Sequence, residues 1–213
     1  MGTCILTSRF ANGFKGEVAE MLRRVIGKTD KFVFIASEFE KKYEKTDYYF
    51  RYFLEMFAEI NLHFAESCVI DSRMLPEEAQ KNLENADVIW LSGGDTPVAF
   101  SYMKTYGLDK VIKRYNGVII GMSAGTINMA ETAICTLSCG HKKQEIYDGL
   151  GCVKISVEPH FVEKQVTDEL LDLSKEYEIY GLCDEGAIVC ENNQMTFIGE
   201  VYKIKSGQVV KVN

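Results

Sequence analysis

Three observations predict an α/β fold with an open, doubly wound, mostly parallel sheet. Short apolar runs alternate with amphipathic stretches along most of the 213 residues. The runs at 31–37 (Lys-Phe-Val-Phe-Ile-Ala-Ser) and 87–91 (Asp-Val-Ile-Trp-Leu) are apolar at nearly every position, as in strands covered by helices on both faces. Two runs also end in glycine turns, at Gly93-Gly94 and at Gly121-Met122-Ser123-Ala124-Gly125. Sheets of this kind bind ligands at the carboxyl ends of their strands.

In chain order, residues 3–8 read as a first buried strand. Residues 16–26 carry Val18, Met21, Leu22, Val25 and Ile26 at helical spacing, and Gly27 closes that helix. After the strand at 31–37, a long amphipathic helix is expected over 42–60. Its Tyr49, Phe53, Met56 and Phe57 share one face, and Tyr48, Phe50 and Tyr52 make it unusually aromatic. Core packing together with a dimer contact is the expected use of these rings, in preference to a substrate-gripping surface. A strand at 64–70 and a helix at 76–85 precede the strand at 87–91. Helices at 98–106 and 108–114 then lead to the β-branched strand at 118–120. Beyond Glu131 the pattern loosens. It resumes with a strand at 152–157, a helix at 166–176 and a strand at 179–183. The tail reads as short hairpins at 187–190, 195–198, 201–205 and 209–212, with turns at Asn192-Asn193 and Ser206-Gly207. No repeat, linker or low-complexity tract interrupts the chain, so one domain covering 1–213 is expected.

Composition narrows the function classes. Hydrophobic content of 46% and charged content of 26% are ordinary for a soluble globular chain. A formal net charge of −7 argues against nucleic acid or an anionic membrane as the partner. No stretch reaches the apolar length of a membrane span, which points to a cytosolic protein. Seven cysteines, mostly inside apolar runs, read as reduced small hydrophobes. Cys135, Cys139 and His141 lack a fourth ligand at a recognisable spacing, so no metal and no cofactor is expected.

The chemistry centres on Gly121-Met122-Ser123-Ala124-Gly125, a Gly-x-Ser-x-Gly pattern between strand and helix. That context holds the serine on a tight turn with its hydroxyl clear of the sheet. A serine nucleophile needs a base, and an acid to orient the base. Of three histidines, His63 reads as structural and His141 as part of a polar loop. His160 follows a buried strand and a proline, and is the expected base. For the acid, Glu185 follows a strand end and precedes Gly186. Glu158 is the rival, two residues before His160 on the same strand face, and Asp184 is a weaker one. Backbone N–H groups of Ala124 and of the Gly93-Gly94 turn are natural oxyanion donors. The order Ser123, His160, acid differs from that of an α/β-hydrolase, whose histidine comes last.

Four segments, Ile89–Thr96, Gly121–Gly125, Glu158–Phe161 and Gly181–Gly186, occur in the order and spacing of one family. Together they resemble peptidase family S51, the peptidase E and cyanophycinase group. The resemblance implies a three-layer α/β/α fold with a mostly parallel sheet, class I glutamine-amidotransferase-like (flavodoxin-like), with C-terminal β-hairpins. It also implies a Ser-His-Glu triad. Ser123 would be the nucleophile, His160 the base, Glu185 its partner, and Gly94 with Ala124 the oxyanion donors. Two departures stand out. Asp95 occupies the position of an asparagine in peptidase E, and is expected to contact the ammonium of a peptide N-terminus. The segment after His160 is short and lacks arginine, where aspartyl dipeptidases have a longer, arginine-containing loop; Lys164 is only a weak substitute, a point charge without a bidentate fork, so specificity for aspartate is not implied. The expected activity is hydrolysis of short peptides through an acyl-enzyme, with a homodimer possible. A serine esterase or amidase, and a non-catalytic binding module on the same fold, are the alternatives.

Overall fold

The structure, a computed structural model, describes residues 2–213. The first half alternates strand and helix: β1 (Thr3–Thr7), α1 (Gly16–Val25), β2 (Lys31–Ile35), α2 (Tyr43–Glu59), β3 (Glu66–Ile70), α3 (Pro76–Glu84) and β4 (Val88–Leu91). Next come α4 (Thr96–Thr105), α5 (Leu108–Ile112), β5 (Val118–Met122) and α6 (Ala124–Met129). The remainder is β6 (Thr132–Cys135), β7 (Glu145–Asp148), β8 (Ser156–Pro159), α7 (Asp168–Leu173), β9 (Ile179–Leu182), β10 (Ala187–Glu191), β11 (Gln194–Ile198), β12 (Val201–Lys205) and β13 (Gln208–Lys211).

The main sheet runs β11-β10-β1-β5-β4-β2-β3. Its five strands β1 to β5 pair in parallel, and the β10–β11 hairpin adds an antiparallel edge beside β1. Alternation along each strand divides the core between the two faces. On one face Ile5, Phe32, Phe34, Val88, Trp90 and Ile120 pack against α1 and α2. On the other, Leu6, Val33, Ile35, Ile89, Leu91 and Ile119 pack against α3, α4, α5 and α6. The fold is therefore the expected three-layer α/β/α arrangement. Trp90, fully buried, anchors the first face, with the rings of Phe53, Phe57 and Phe14 at 4.3, 5.9 and 6.3 Å between centroids.

The structure adds what periodicity did not reveal. The strand before His160, β8, lies outside the main sheet, in a second sheet ordered β13-β12-β9-β8 in which β8 and β9 run parallel. The loosened region after Glu131 holds a separate β6–β7 hairpin. Each strand has only four residues, β6 buried over Ala133–Cys135 and β7 half-buried or exposed throughout, which is too short a run for alternation to announce.

Two glycines let α6 lie close to the sheet. A Cβ on Gly125 would fall 2.1 Å from Leu91 O, and one on Gly121 would fall 2.7 Å from Thr126 N. Both obstacles are backbone atoms that cannot swing aside. Gly125→Ala is therefore expected to cost about 3 kcal/mol of stability by overpacking. Gly27, with nothing within 4 Å of the same added atom, should tolerate alanine within about 0.5 kcal/mol. Urea unfolding of the two variants beside the wild type checks this contrast.

Candidate active site

The elbow after β5 is built by close packing and by hydrogen bonds to β1. Ser123 adopts φ 52°, ψ −110°, a sparsely populated conformation that persists only where neighbours impose it. Its N–H donates to Thr7 O at 3.0 Å. Thr126 Oγ1 accepts from Thr7 N–H at 2.9 Å and lies 2.6 Å from Gly121 O, tying the first turn of α6 to both flanking strands. The serine hydroxyl is thereby directed off the carboxyl end of the sheet.

His160 meets it there. Ser123 Oγ lies 2.8 Å from His160 Nε2, and His160 Nδ1 lies 2.8 Å from Asp184 Oδ1. With Nδ1–H donating to the carboxylate, Nε2 is left to accept the serine proton, the tautomer that the network favours. His160 has φ 57°, so the chain leaves the extended conformation directly after Pro159.

The carboxylate that meets the histidine is that of Asp184, not of Glu185. The turn after β9 explains the difference. Glu185 takes φ 64°, its N–H donates to Arg9 O at 2.8 Å, and its carboxylate accepts from Ala11 N–H at 2.8 Å. It stabilises the loop after β1 and faces away from the ring, whereas Asp184, one residue earlier, faces it.

Glu158, the other rival, is also turned away. Period-2 alternation would have brought it to His160, but the left-handed backbone at His160 ends the alternation between them. Its buried carboxylate accepts from Thr136 Oγ1 at 2.8 Å and from Ser138 Oγ at 2.6 Å. Burial pushes its pKa up to about 7, against the lowering effect of the two hydroxyls.

Ser8 is the residue that sequence reading missed. It is fully buried at the end of β1. Its hydroxyl donates to Asp184 Oδ1 at 2.7 Å and accepts from His160 N–H at 2.8 Å. It thus fixes the histidine and its acid together. Arg9 follows, with Nη2 donating to Asp184 Oδ2 at 2.6 Å. Burial acts to raise the Asp184 pKa, but the hydrogen bonds from Ser8 and His160 and the charge of Arg9 outweigh it and hold the carboxyl low. A polar pair closing an apolar strand, Ser8-Arg9, was the one available signal, and it names no partner.

The oxyanion candidates lie beside the serine. Ala124 is the first residue of α6, where an N–H has no acceptor within its own helix. A Cβ on Gly93 would stand 3.4 Å from Ser123 Cβ, and one on Gly94 would collide with Ser37 Oγ. The Gly93 backbone therefore passes in van der Waals contact with Ser123, while Gly94 is pressed against Ser37 with no room for a side chain.

Asp95 does something other than expected. It caps α4, accepting from Val98 N–H at 3.2 Å, and is absent from the lining of the cleft that holds Ser123. The remaining histidines are distant from the chemistry: His63 is exposed in the loop before β3, and His141 bridges Thr96 Oγ1 and Thr136 O. Cys139 Sγ donates to Pro159 O, and Cys135 packs in a small buried cluster with Ile127 and Ala133. Among the described residues no group of three His, Cys, Asp or Glu side chains is arranged to hold a metal, and no helix is long and apolar enough to cross a membrane.

The cleft is a cavity of about 550 Å³. Ser123, His160 and the Gly93-Gly94 turn form one end, and Tyr48, Tyr49, Tyr52 and Phe53 of α2 form a wall. The aromatic helix thus contributes to the cleft as well as to the core.

A family model described as peptidase family S51 matches residues 5–198. Among solved structures, a peptidase from an acI-B1 Actinobacterium superposes with a TM-score of 0.75 at 17% identity, covering 100% of this chain and 94% of that one. A candidate peptidase E protein from Listeria monocytogenes EGD-e superposes with a TM-score of 0.68 at 20% identity, covering 92% and 98%. No curated protein matches the sequence.

Glu158 makes stability depend on pH in a direction that can be checked. Its folded pKa, about 7, lies above the ordinary 4.5, so the native state binds more protons than the unfolded state between those values. Stability is therefore fullest below pH 4.5 for this group and is lost as pH rises toward 7, by about 3 kcal/mol in all. Glu158→Gln should remove that contribution. The difference in unfolding free energy between variant and wild type, measured from pH 5 to 8, should shift steadily in favour of the variant.

Proposed function

Because the chain belongs to peptidase family S51, we propose that it is a serine peptidase hydrolysing short peptides through an acyl-enzyme on Ser123. The observation that carries this reading is the continuous relay from Ser123 Oγ to His160 Nε2 and from His160 Nδ1 to Asp184, each step 2.8 Å. Among the expected triad residues, Ser123 and His160 keep their roles, and Asp184 takes the role first given to Glu185.

His160 removes the Ser123 proton as the oxygen attacks the scissile carbonyl. The developing oxyanion is received by the N–H groups of Ala124 and Gly94, donors aimed at charge that exists only along the reaction path. The imidazolium that forms is balanced by Asp184, which is ionised throughout because Ser8 and Arg9 hold its pKa low. His160 then protonates the departing amine, and in the second half activates water to release the acyl group. Ser8 acts through the other two residues and is a positioning residue.

Labelling by a fluorophosphonate probe and turnover of a dipeptide library test the reading together. The wild type should be labelled, Ser123→Ala should not, and His160→Ala should be labelled only weakly. Asp184→Asn should lower kcat/KM by about 10³- to 10⁴-fold, because the amide no longer enforces the productive tautomer. Glu185→Gln should change it by less than about tenfold. An unlabelled wild type that leaves peptides untouched would move the assignment to a non-catalytic module. A larger loss from Glu185→Gln than from Asp184→Asn would return the acid role to Glu185.

A further inference from the structure

The α2 wall of the cleft carries more exposed aromatic surface than the core requires. Phe53 is buried and packs on Trp90, but its neighbours toward the cleft are not: Tyr48 is 57% exposed and Tyr49 40%. The rings form a graded stack. Phe53 lies 6.3 Å from Phe34 at the floor and 6.4 Å from Tyr49 above it, both near parallel, while Tyr48 stacks on Tyr52 at 6.3 Å. Positions 48, 49, 52 and 53 fall on one face of α2, so the helix itself sets this surface. Among the described residues nothing hydrogen-bonds the hydroxyls of Tyr48, Tyr49 or Tyr52, which leaves them free for an incoming group.

We propose that this wall selects acyl groups bearing an aromatic side chain, making Tyr49 and Tyr52 specificity-determining residues. The inference rests on the acyl-enzyme reading above. While bound to Ser123, the acyl group stays in the cleft that Ser123, Gly93 and Gly94 share with α2. A second cavity, of about 430 Å³, touches His160 but neither Ser123 nor the glycine turn, and offers the leaving side a separate exit.

Size and charge both favour an aromatic occupant over a small or acidic one. An alanine or aspartate side chain would leave the faces of Tyr49 and Tyr52 in contact with water, whereas a ring is large enough to stack against them and cover them. Of the cations at the cleft, Arg9 is engaged by Asp184 at 2.6 Å and Lys42 by Glu38 at 2.8 Å. Lys45 remains, an exposed ammonium 5.8 Å from the centre of the Tyr49 ring. A hydrated point charge at the rim is a weak reader of a carboxylate beside a wall of four rings.

The test is a set of kcat/KM values for N-acetyl-Ala-, N-acetyl-Asp- and N-acetyl-Phe-p-nitroanilide, with a dipeptide series varied on the leaving side. The phenylalanyl substrate should exceed both others by about 30-fold or more, within the range a hydrophobic pocket discriminates. Tyr49→Ala and Tyr52→Ala should each cut the Phe-to-Ala ratio by about fivefold, chiefly through KM, and Tyr49→Phe should restore it. Equal rates, a preference for Asp or Ala, or an aromatic preference confined to the leaving side would overturn the inference. Labelling of the wild type by diisopropyl fluorophosphate separates the two levels. Labelling with the wrong preference defeats only the pocket assignment, whereas no labelling defeats the acyl-enzyme reading and the pocket with it.

Discussion

The approach of α6 to the main sheet is the constraint on which the rest of the site depends. Gly125 lies so near the Leu91 carbonyl that not even a methyl group fits, and at Gly121 a methyl group would likewise collide with the first turn of the helix. This closeness forces the chain at Ser123 through an unfavourable conformation, of the kind that costs about 1–3 kcal/mol. Hydrogen bonds from Thr7 and Thr126 to the elbow offset part of that cost and connect β1 to the nucleophile. Without the close approach the serine would relax into an ordinary turn, and the Gly93-Gly94 backbone would have nothing to face.

The relay is assembled from two sheets. Ser123 comes from the parallel sheet, and His160 and Asp184 come from the ends of β8 and β9 in the second one. Ser8 bonds to both residues of the second sheet from the end of a strand in the first. A single buried hydroxyl thereby ties His160 and Asp184 to the end of β1, the strand whose Thr7 carbonyl also accepts the Ser123 N–H. Peptidase family membership fits this arrangement, since a relay split between sheets needs nearly the whole length that the family model matches.

Where sequence reading failed at the site, it failed at turns. Glu185 and Asp184 are adjacent and chemically alike, and the choice between them depends on a left-handed residue with no glycine to announce it. Glu158 and His160 have the spacing of one strand face, but a positive φ at His160 separates them. Asp95 was assigned to a substrate contact on its place beside the glycine turn. An aspartate directly before Thr96-Pro97 is also a helix cap, and that local role is the one it takes. In each case a short-range backbone preference prevailed over a plausible side-chain geometry.

The sequence by itself determined the layered fold, the strand–elbow–helix unit, and the placing of Ser123 and His160 at strand ends, where they meet. These follow from local signals, namely apolar runs, helical stripes and glycines at strand ends, which are properties of contiguous residues. Tertiary structure decided that the histidine strand belongs to a second sheet, that Asp184 and not Glu185 meets the imidazole, that Ser8 bonds both, and that the rings of α2 line the cleft. Each of these depends on which residues distant in the chain meet, from the parallel pairing of Ser156 with Ile179 to the bond from Ser8 to Asp184, or on the sign of a single φ angle. Periodicity carries neither kind of information, because the face a residue presents is a local property and the partner it finds there is not.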